Sequence, residues 1–351
     1  MSRQKYAIML PSSDFGGLAS LSLSLAHGIQ ERGFGVCQIS LYSKIAGKNS
    51  SIREISLDRA PKKSLMGKVS NLLMRSLRLR AFLNHEKPDY VICLDPVSFI
   101  LALIAGKKSG LKLVASCYTP FNLLTRRDKF LISRFFHFAD FVVSPSSGMS
   151  RELRFLNSRI IPNVIPNPIP FDSTFCPLNY SSFKSKPQVH FLGRLSAEKG
   201  LRKFLEIANA RPAIDFVVSG DGPEYSLMTE FNLPNVRFNG WVSSSICLTD
   251  ADLLIVPSLF ESFGIVVLEA WIHGVPVLTS ANAHGPSELI NENNHGDVVL
   301  NSRNLQEWLD KLDLLIGSNL TDEEMANVLD KYSEYSISAR WIEMLSAAKM
   351  R

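Results

Sequence analysis

The sequence predicts an α/β protein built from two doubly wound domains in tandem. Three observations lead to this prediction: a length of 351 residues, an alternation of short apolar runs with amphipathic segments, and a proline-rich interruption after which the alternation restarts. A chain of this length exceeds one ordinary hydrophobic core and suits two. With 46% hydrophobic and 20% charged residues, its composition is that of a globular protein.

Strand and helix patterns alternate through the first half. The chain opens with an apolar run, Tyr6–Leu10, and a helical pattern over Leu18–Arg32 that ends at Gly33. Further strands are predicted at 89–94, 112–116 and 140–144, and further helices at 65–84, 98–108, 127–138 and 150–156. This alternation is typical of a parallel sheet covered by helices on both faces.

Six prolines between Ile161 and Pro187 give that segment the composition of a linker. Strand patterns resume after it, at 189–192, 216–218, 236–238, 253–256, 277–278 and 298–300. We therefore expect an N-terminal domain over 1–168, a hinge over 169–187, a second domain over 188–331 and a last helix over 332–351. Doubly wound sheets bind ligands beyond the carboxyl ends of their strands, so a shared ligand is expected in a central cleft that both domains face.

The chain shows neither a signal peptide nor an apolar run long enough to span a bilayer; the longest is Val97–Gly106. Its five cysteines are scattered singly, which favours small core residues in a reducing compartment over a disulfide framework or a metal site. These features predict a cytoplasmic protein, either soluble or peripheral to the membrane.

Charge is distributed unevenly along the chain. Residues 1–170 carry 24 Lys and Arg against 10 Asp and Glu, whereas the remainder carries 14 against 23. The first half is therefore expected to face something anionic. A basic amphipathic stretch over 62–80 favours a membrane surface, although a core-packed helix with a basic solvent face gives the same pattern. Nucleic acid is not predicted as a partner, because no aromatic or glycine-rich nucleic-acid motif accompanies the charge.

Two glutamates flank a strand-to-helix loop of the second half. Glu261 lies in the loop after the strand at 253–256, and Glu269 lies more than a turn into the helix that opens near Gly264. Backbone amides at a helix start can bind an anion, while the two carboxylates can accept hydroxyls from a sugar and a ribose. A helix-capping glutamate with a solvated one remains the alternative.

Cationic and glycine-rich loops follow two other strands. Arg194 and Lys199 are suited to a diphosphate, although Glu198 between them could simply neutralise them. After the first strand, Gly16 and Gly17 would allow a phosphate to approach the backbone, or would only form a tight turn.

Taken together, these segments resemble the retaining glycosyltransferase family 4, whose fold is GT-B. The resemblance runs the full chain and rests on these motifs: Gly16-Gly17; Val164-Ile165-Pro166-Asn167-Pro168-Ile169; Gly193-Arg194-Leu195-Ser196-x-Glu198-Lys199-Gly200; Gly220-Asp221-Gly222-Pro223; Val236-Arg237-Phe238-x-Gly240; the Glu261/Glu269 pair with Gly274 to Val277 after it; and Gly285-Pro286-Ser287-Glu288.

The resemblance implies a nucleotide-diphosphate sugar donor, a UDP- or GDP-sugar. It places Glu261 on the sugar hydroxyls and Glu269 on the ribose hydroxyls. Arg194 and Lys199 would neutralise the diphosphate, with Glu261, Arg194 and Lys199 forming the catalytic set. The remaining donor-site residues that it implies are Gly16, Gly17, Gly193, Val242, Phe263, Gly264 and Ile265.

No metal or other cofactor is expected, because cations and helix-start amides can stabilise the leaving diphosphate. Asp250-Ala251-Asp252 spells a metal-binding motif, but it immediately precedes a predicted buried strand, so we interpret it as the lead-in to that strand. In this family, retention of the anomeric configuration is attributed to attack by the acceptor on the same face of the sugar that the phosphate leaves, with the leaving phosphate helping to deprotonate the acceptor.

One departure concerns the acceptor side, where many members carry a histidine after the strand equivalent to 112–116. Here that position contains Tyr118 and Thr119, either of which can supply a hydrogen bond instead. We expect a glycan or lipid-linked acceptor and a peripheral protein on the inner face of the cytoplasmic membrane. A non-catalytic binding or scaffold subunit and a nucleotide-sugar epimerase of the same fold remain the alternatives.

Overall fold

The computed structural model describes residues 4–11, 17–41, 52–57, 65–106, 110–170 and 186–347. The chain divides into two compact units. The first comprises Met1–Phe171 together with Glu334–Arg351, and the second comprises Asp172–Ser333.

The first unit contains a seven-stranded parallel sheet. Its strands are β1 (Lys5–Leu10), β2 (Gly35–Ser40), β3 (Arg53–Ser56), β4 (Tyr90–Cys93), β5 (Lys112–Ser116), β6 (Phe141–Ser144) and β7 (Pro162–Val164). Their order is β3-β2-β1-β4-β5-β6-β7. The central strand β4, Tyr-Val-Ile-Cys, is buried along its whole length, as expected for a parallel sheet covered on both faces.

A six-stranded parallel sheet forms the second unit. Its strands are β8 (Gln188–Leu192), β9 (Asp215–Ser219), β10 (Val236–Gly240), β11 (Leu253–Val256), β12 (Val277–Ser280) and β13 (Gly296–Val299). Their order is β10-β9-β8-β11-β12-β13. The two sheets confirm the predicted fold class, two Rossmann-like α/β domains.

Helices connect the strands in both units. In chain order they are α1 (Gly17–Glu31), α2 (Leu65–Glu86), α3 (Pro96–Ala105), α4 (Arg126–Phe135), α5 (Ser147–Leu156), α6 (Leu201–Ala210), α7 (Ser226–Phe231), α8 (Ser244–Leu248), α9 (Ile265–Trp271), α10 (His284–Asn293), α11 (Leu305–Leu315), α12 (Asp322–Tyr332) and α13 (Glu334–Ala347). Within the described ranges, each helix is either too short or too polar to cross a bilayer.

Two helical layers cover the first sheet. Helices α2, α3, α4 and α5 contact one another in that order and form one layer. Helix α1 connects strands in the opposite direction along the sheet, which places it on the other face, and α13 packs against it. Arg32, immediately after α1, donates to the carbonyl of Tyr335 on α13 (Nη2 to O, 2.7 Å). The hydroxyl of Tyr90 on β4 donates to the carbonyl of Leu345 (3.0 Å), so the last helix is an integral part of the first unit.

The proline-rich composition that begins at Ile161 includes a strand, which lies within the range predicted for the N-terminal domain. Pro162–Val164 forms β7, which pairs in parallel with β6. A proline is tolerated there because β7 lies at the edge of the sheet, where backbone hydrogen bonds are needed on one side only.

Candidate functional site

The second sheet changes winding direction between β8 and β11. These strands are neighbours, but the chain leads outward to β9 and β10 on one side and to β12 and β13 on the other. Loops that follow two such strands diverge and leave a crevice at the carboxyl edge, which is where open α/β sheets bind ligands. The loops in question are 193–200 and 257–264, and they contain most of the predicted donor-site residues.

The loop after β8 is held in shape by short local bonds. A turn of 3₁₀ helix covers Ala197–Lys199, and the hydroxyl of Ser196 donates to Glu198 (Oγ to Oε1, 2.5 Å). Burial raises the pKa of Glu198, but this hydrogen bond, together with the cations of Lys199 and Arg194, outweighs it and lowers the pKa below its ordinary value. Glu198 is therefore a charged carboxylate in the folded chain.

An ion pair joins the two loops at the crevice. Lys199 Nζ contacts Glu261 Oε2, with 30% and 15% of the respective side chains exposed. The backbone reinforces the contact, because the Leu259 N–H donates to the Glu198 carbonyl (2.8 Å). The structure thus brings together the cation predicted for the diphosphate and the carboxylate predicted for the sugar. Arg194 is exposed on the same loop.

The loop after β11 makes a sharp turn into helix α9. Gly264 precedes this helix with φ 83°, a left-handed conformation that favours glycine. Phe263 beside it is buried, with 3% exposed, and Ile265 begins the helix. An added Cβ on Gly285, at the start of α10, would lie 2.2 Å from Phe263 Cα, so only glycine allows α10 to support this turn from behind.

Glu269 on α9 faces a different loop, the one that follows β10. Ser244, at the start of α8, donates a hydrogen bond to it (Oγ to Oε1, 2.9 Å). Val242 lies two residues earlier on that loop and is half-buried. Sequence reasoning missed Ser244, because a serine at the start of a short helix is common and has no motif around it.

The two aspartates of the metal-like motif lie elsewhere. Asp252 immediately precedes β11 and accepts a hydrogen bond from the N–H of Gln188, at the beginning of β8 (2.7 Å). Asp252 is therefore at the amino edge of the sheet, opposite Lys199 and Glu261. Among the described residues, no group of three or more His, Cys, Asp or Glu side chains is arranged to hold a metal ion.

The remaining predicted residues belong to the first unit. Gly16 lies outside the described residues, and Gly17 is the exposed first residue of α1, where an added Cβ would meet no described atom within 4 Å. Tyr118 and Thr119 follow β5, with Tyr118 partly buried and Thr119 exposed. Burial raises the pKa of Tyr118 despite a hydrogen bond with Ser116, so its phenol is neutral at physiological pH and can donate a hydrogen bond.

Two family models match the chain. The model described as Glycosyltransferase Family 4 matches residues 15–173, and the model described as Glycosyl transferases group 1 matches residues 179–335. Together they cover nearly the whole chain. The chain belongs to the family 4, group 1 glycosyltransferases. The predicted resemblance is thereby confirmed.

Curated relatives share parts of the chain. Over 141 residues it is 35% identical to the 2-deoxystreptamine N-acetyl-D-glucosaminyltransferase of Niallia circulans, covering 37% of this chain and 35% of that one. Over 233 residues it is 26% identical to the lipopolysaccharide 1,6-galactosyltransferase of Salmonella typhimurium, covering 62% and 63%. The aligned segments thus span from about a third to less than two thirds of these relatives' own lengths.

Solved structures share the fold over nearly the full length. The Anabaena protein HepE in complex with UDP and glucose superposes with a TM-score of 0.76 at 18% identity, covering 98% of this chain and 100% of that one. At this identity the likeness concerns the GT-B fold alone.

Proposed function

We propose that this glycosyltransferase is a retaining enzyme that transfers a sugar from a UDP- or GDP-sugar to a glycan or lipid-linked acceptor. The observation that carries the proposal is the Lys199–Glu261 ion pair at the crevice between the loops after β8 and β11. A cation and a carboxylate in contact at a ligand-binding edge are matched to the diphosphate and the hydroxyls of one nucleotide-sugar. The solved structure of HepE, a complex with UDP and glucose, supports this donor class.

Binding of the donor requires the ion pair to change partners. The diphosphate replaces Glu261 as the partner of Lys199, and the Glu261 carboxylate turns to accept hydroxyls of the sugar. When the anomeric bond breaks, negative charge grows on the leaving diphosphate, and Lys199 and Arg194 stabilise it in place. Since Lys199 and Arg194 supply the positive charge that a metal ion would otherwise provide, we propose a reaction without a metal.

The nucleoside end is assigned to Glu269 and its surroundings. Ser244 holds one oxygen of Glu269, which leaves the carboxylate oriented to accept the ribose hydroxyls. Val242, on the loop that leads to Ser244, is placed against the base. In the first unit, Tyr118 or Thr119 hydrogen-bonds the acceptor in place of the histidine that many relatives carry.

The acceptor is proposed to be anchored at a membrane. Relatives include a lipopolysaccharide galactosyltransferase, and the first 170 residues carry 24 basic against 10 acidic side chains. Both features suit an enzyme of bacterial surface polysaccharide, lipopolysaccharide or glycolipid synthesis that lies on the inner face of the cytoplasmic membrane.

A thermal-unfolding panel with UDP, GDP, ADP and their sugar conjugates tests the donor assignment, because a ligand that binds the native state raises the midpoint. One nucleotide family should raise the midpoint equally with and without EDTA, and the shift should be lost in Glu269→Ala. A shift that requires a divalent metal would overturn metal independence.

An assay of donor hydrolysis and sugar transfer tests the activity. Parent protein should release nucleoside diphosphate, Glu261→Gln should not, and the transferred sugar should keep its anomeric configuration by NMR. Donor binding without turnover would indicate a non-catalytic subunit, and isomerisation of the donor sugar would indicate an epimerase.

A further inference from the structure

Two exposed phenylalanines stand out on the first unit. Phe130 on α4 is 60% exposed and Phe155 on α5 is 82% exposed. Large apolar side chains that remain exposed near one another are a mark of an interaction surface.

Arginines accompany Phe130 on α4. Arg126, Phe130 and Arg134 recur at four-residue spacing, so they share one side of the helix, and all three are exposed. The buried side of α4 is formed instead by Ile132.

Helix α5 repeats the arrangement. Arg151, Arg154 and Phe155 are spaced so that they lie on one side of the helix, and all are exposed, whereas Leu153 is buried.

Direct bonds hold these helices together as one surface. The side-chain amide of Asn157, after α5, donates to the Ser133 carbonyl on α4 (2.7 Å). Phe121, which precedes α4, bridges the helices: Lys129 Nζ on α4 lies 3.9 Å from the centroid of its ring, and the Phe155 ring on α5 meets it edge to face with centroids 6.0 Å apart. We call the six exposed residues the aromatic–basic surface: Arg126, Phe130, Arg134, Arg151, Arg154 and Phe155.

The charge of this region is one-sided. From residue 121 to residue 159 there are seven basic and three acidic side chains. Each of the three carboxylates already accepts a hydrogen bond from within the unit: Asp128 from Thr125, Asp140 from Leu113 and Glu152 from Phe121. The region is therefore electrostatically complementary to an anionic partner.

We propose that the aromatic–basic surface binds an anionic lipid bilayer, with Phe130 and Phe155 inserted among the headgroups and the arginines on lipid phosphates. Arginines with long apolar stems around exposed aromatic rings suit such an interface. A bilayer is favoured over a protein partner because the excess of basic side chains matches an anionic headgroup layer and because the proposed acceptor is membrane-anchored. The inference rests on the proposed function only in that the acceptor is membrane-anchored.

Co-sedimentation with vesicles tests the surface, using phosphatidylcholine alone and phosphatidylcholine mixed with phosphatidylglycerol. The parent protein should bind only the anionic vesicles and be released by salt. Arg126→Gln/Arg134→Gln should weaken binding by about tenfold or more, since each arginine near an anionic surface contributes roughly fivefold. Phe130→Ser/Phe155→Ser should weaken it comparably while lowering the unfolding midpoint only slightly, because both rings are mostly exposed and each loses one edge-to-face contact.

Matched controls locate the effect. Leu314→Ser changes a residue of the second unit whose exposure (73%) lies between those of the two phenylalanines, and it should bind like the parent. Leu73→Ser/Leu77→Ser changes the exposed leucines of α2, the other candidate contact, and should retain most binding. Binding lost in this α2 variant but kept in the Phe130/Phe155 variant would overturn the proposal. So would absence of binding by the parent, or self-association that only the phenylalanine variant abolishes.

Failure of the surface and failure of the enzymatic proposal are distinguishable. Glu261→Gln should bind vesicles like the parent while losing transfer. The surface variants should retain donor hydrolysis in solution.

Discussion

Lys199 Nζ lies against Glu261 Oε2, and this contact joins the loops that leave two neighbouring strands of the second sheet. The residues are 62 positions apart in the chain, and only the winding of the sheet brings them together. Of the two, Glu261 is the more buried, with 15% of its side chain exposed. Each charge therefore neutralises the other in the partly buried crevice. A bound donor would replace these contacts, with its diphosphate on Lys199 and its sugar hydroxyls on Glu261.

Removing one charge should cost more stability than removing both. Lys199→Met leaves the partly buried Glu261 carboxylate without its lysine, and we expect a loss of about 1–3 kcal/mol in the free energy of unfolding. Lys199→Met/Glu261→Gln removes both charges and should recover most of that loss, as measured by urea unfolding in a double-mutant cycle. Transfer activity should stay absent in the double variant, because stability is restored but the donor contacts are not.

Lys311→Met is the matched control. Lys311 on α11 pairs with Asp297 near the beginning of β13 (2.7 Å), at the edge of the sheet opposite the crevice, so its loss should leave donor binding and transfer near the parent's values. Recovery of activity along with stability in the double variant would contradict the assigned roles.

Part of this site could be predicted from the sequence. The motifs identified Lys199 and Glu261 individually, because cations and carboxylates in strand-to-helix loops are visible locally. Their mutual contact was not predictable, and the partner suggested for Lys199, the adjacent Glu198, is held by Ser196 instead. Contacts between distant loops depend on strand order, which a linear pattern does not contain.

The strands, too, could be predicted only in part. Strand β5 was predicted with the observed bounds, Lys112–Ser116, because a continuous apolar run marks a buried central strand. Strand β3, Arg-Glu-Ile-Ser, was missed because an edge strand with no buried residue has no apolar pattern to detect. Strand β7 was missed because it begins with Pro162 inside a proline-rich segment.

Glu269 and Ser244 predict a ribose-dependent effect on nucleotide affinity. Glu269→Gln should weaken binding of the preferred nucleoside diphosphate by about 10- to 100-fold, since an unmade hydrogen bond to a charged group costs about 1.5–3 kcal/mol. Ser244→Ala should weaken it less, because it only releases one oxygen of the carboxylate. Calorimetry with the nucleotide and its 2′-deoxy and 3′-deoxy analogues measures both.

The analogue that lacks the contacted hydroxyl should bind the parent and Glu269→Gln alike. If both variants lose equal affinity for every analogue, Glu269 supports the loop rather than the ribose.

His295 gives the second unit a pH-dependent stability. Burial lowers the pKa of His295, with a smaller contribution from Lys331, and Glu324 opposes the shift only in part. As pH falls, the His295 imidazole is protonated near pH 6.5 in the unfolded chain but only at a lower pH in the native chain. The unfolded state is therefore favoured as pH falls below 6.5. The free energy of unfolding should therefore decline as pH falls below 6.5, and this decline begins above the range in which Glu324 itself protonates.

Chemical denaturation at a series of pH values, with the parent and His295→Gln, measures this slope. The variant should show a flatter profile across the same range. A slope in His295→Gln as steep as the parent's would contradict the assignment.

Gly264 tests whether the turn into α9 shapes the donor site. Gly264→Ala combines an unfavourable φ of 83° with a Cβ only 2.6 Å from Pro286 Cγ. We expect a loss of about 2–3 kcal/mol in the free energy of unfolding and a weaker thermal shift with the donor nucleotide. Gly317 has a φ of 87°, and an added Cβ there would have nothing within 4 Å. Gly317→Ala therefore measures the cost of the backbone conformation alone, and its free energy of unfolding should fall by only about 1 kcal/mol. Equal losses of stability in the two variants would mean that Pro286 moves to accommodate the methyl group. An intact donor-induced shift in Gly264→Ala would mean that the donor site does not depend on the present position of this turn.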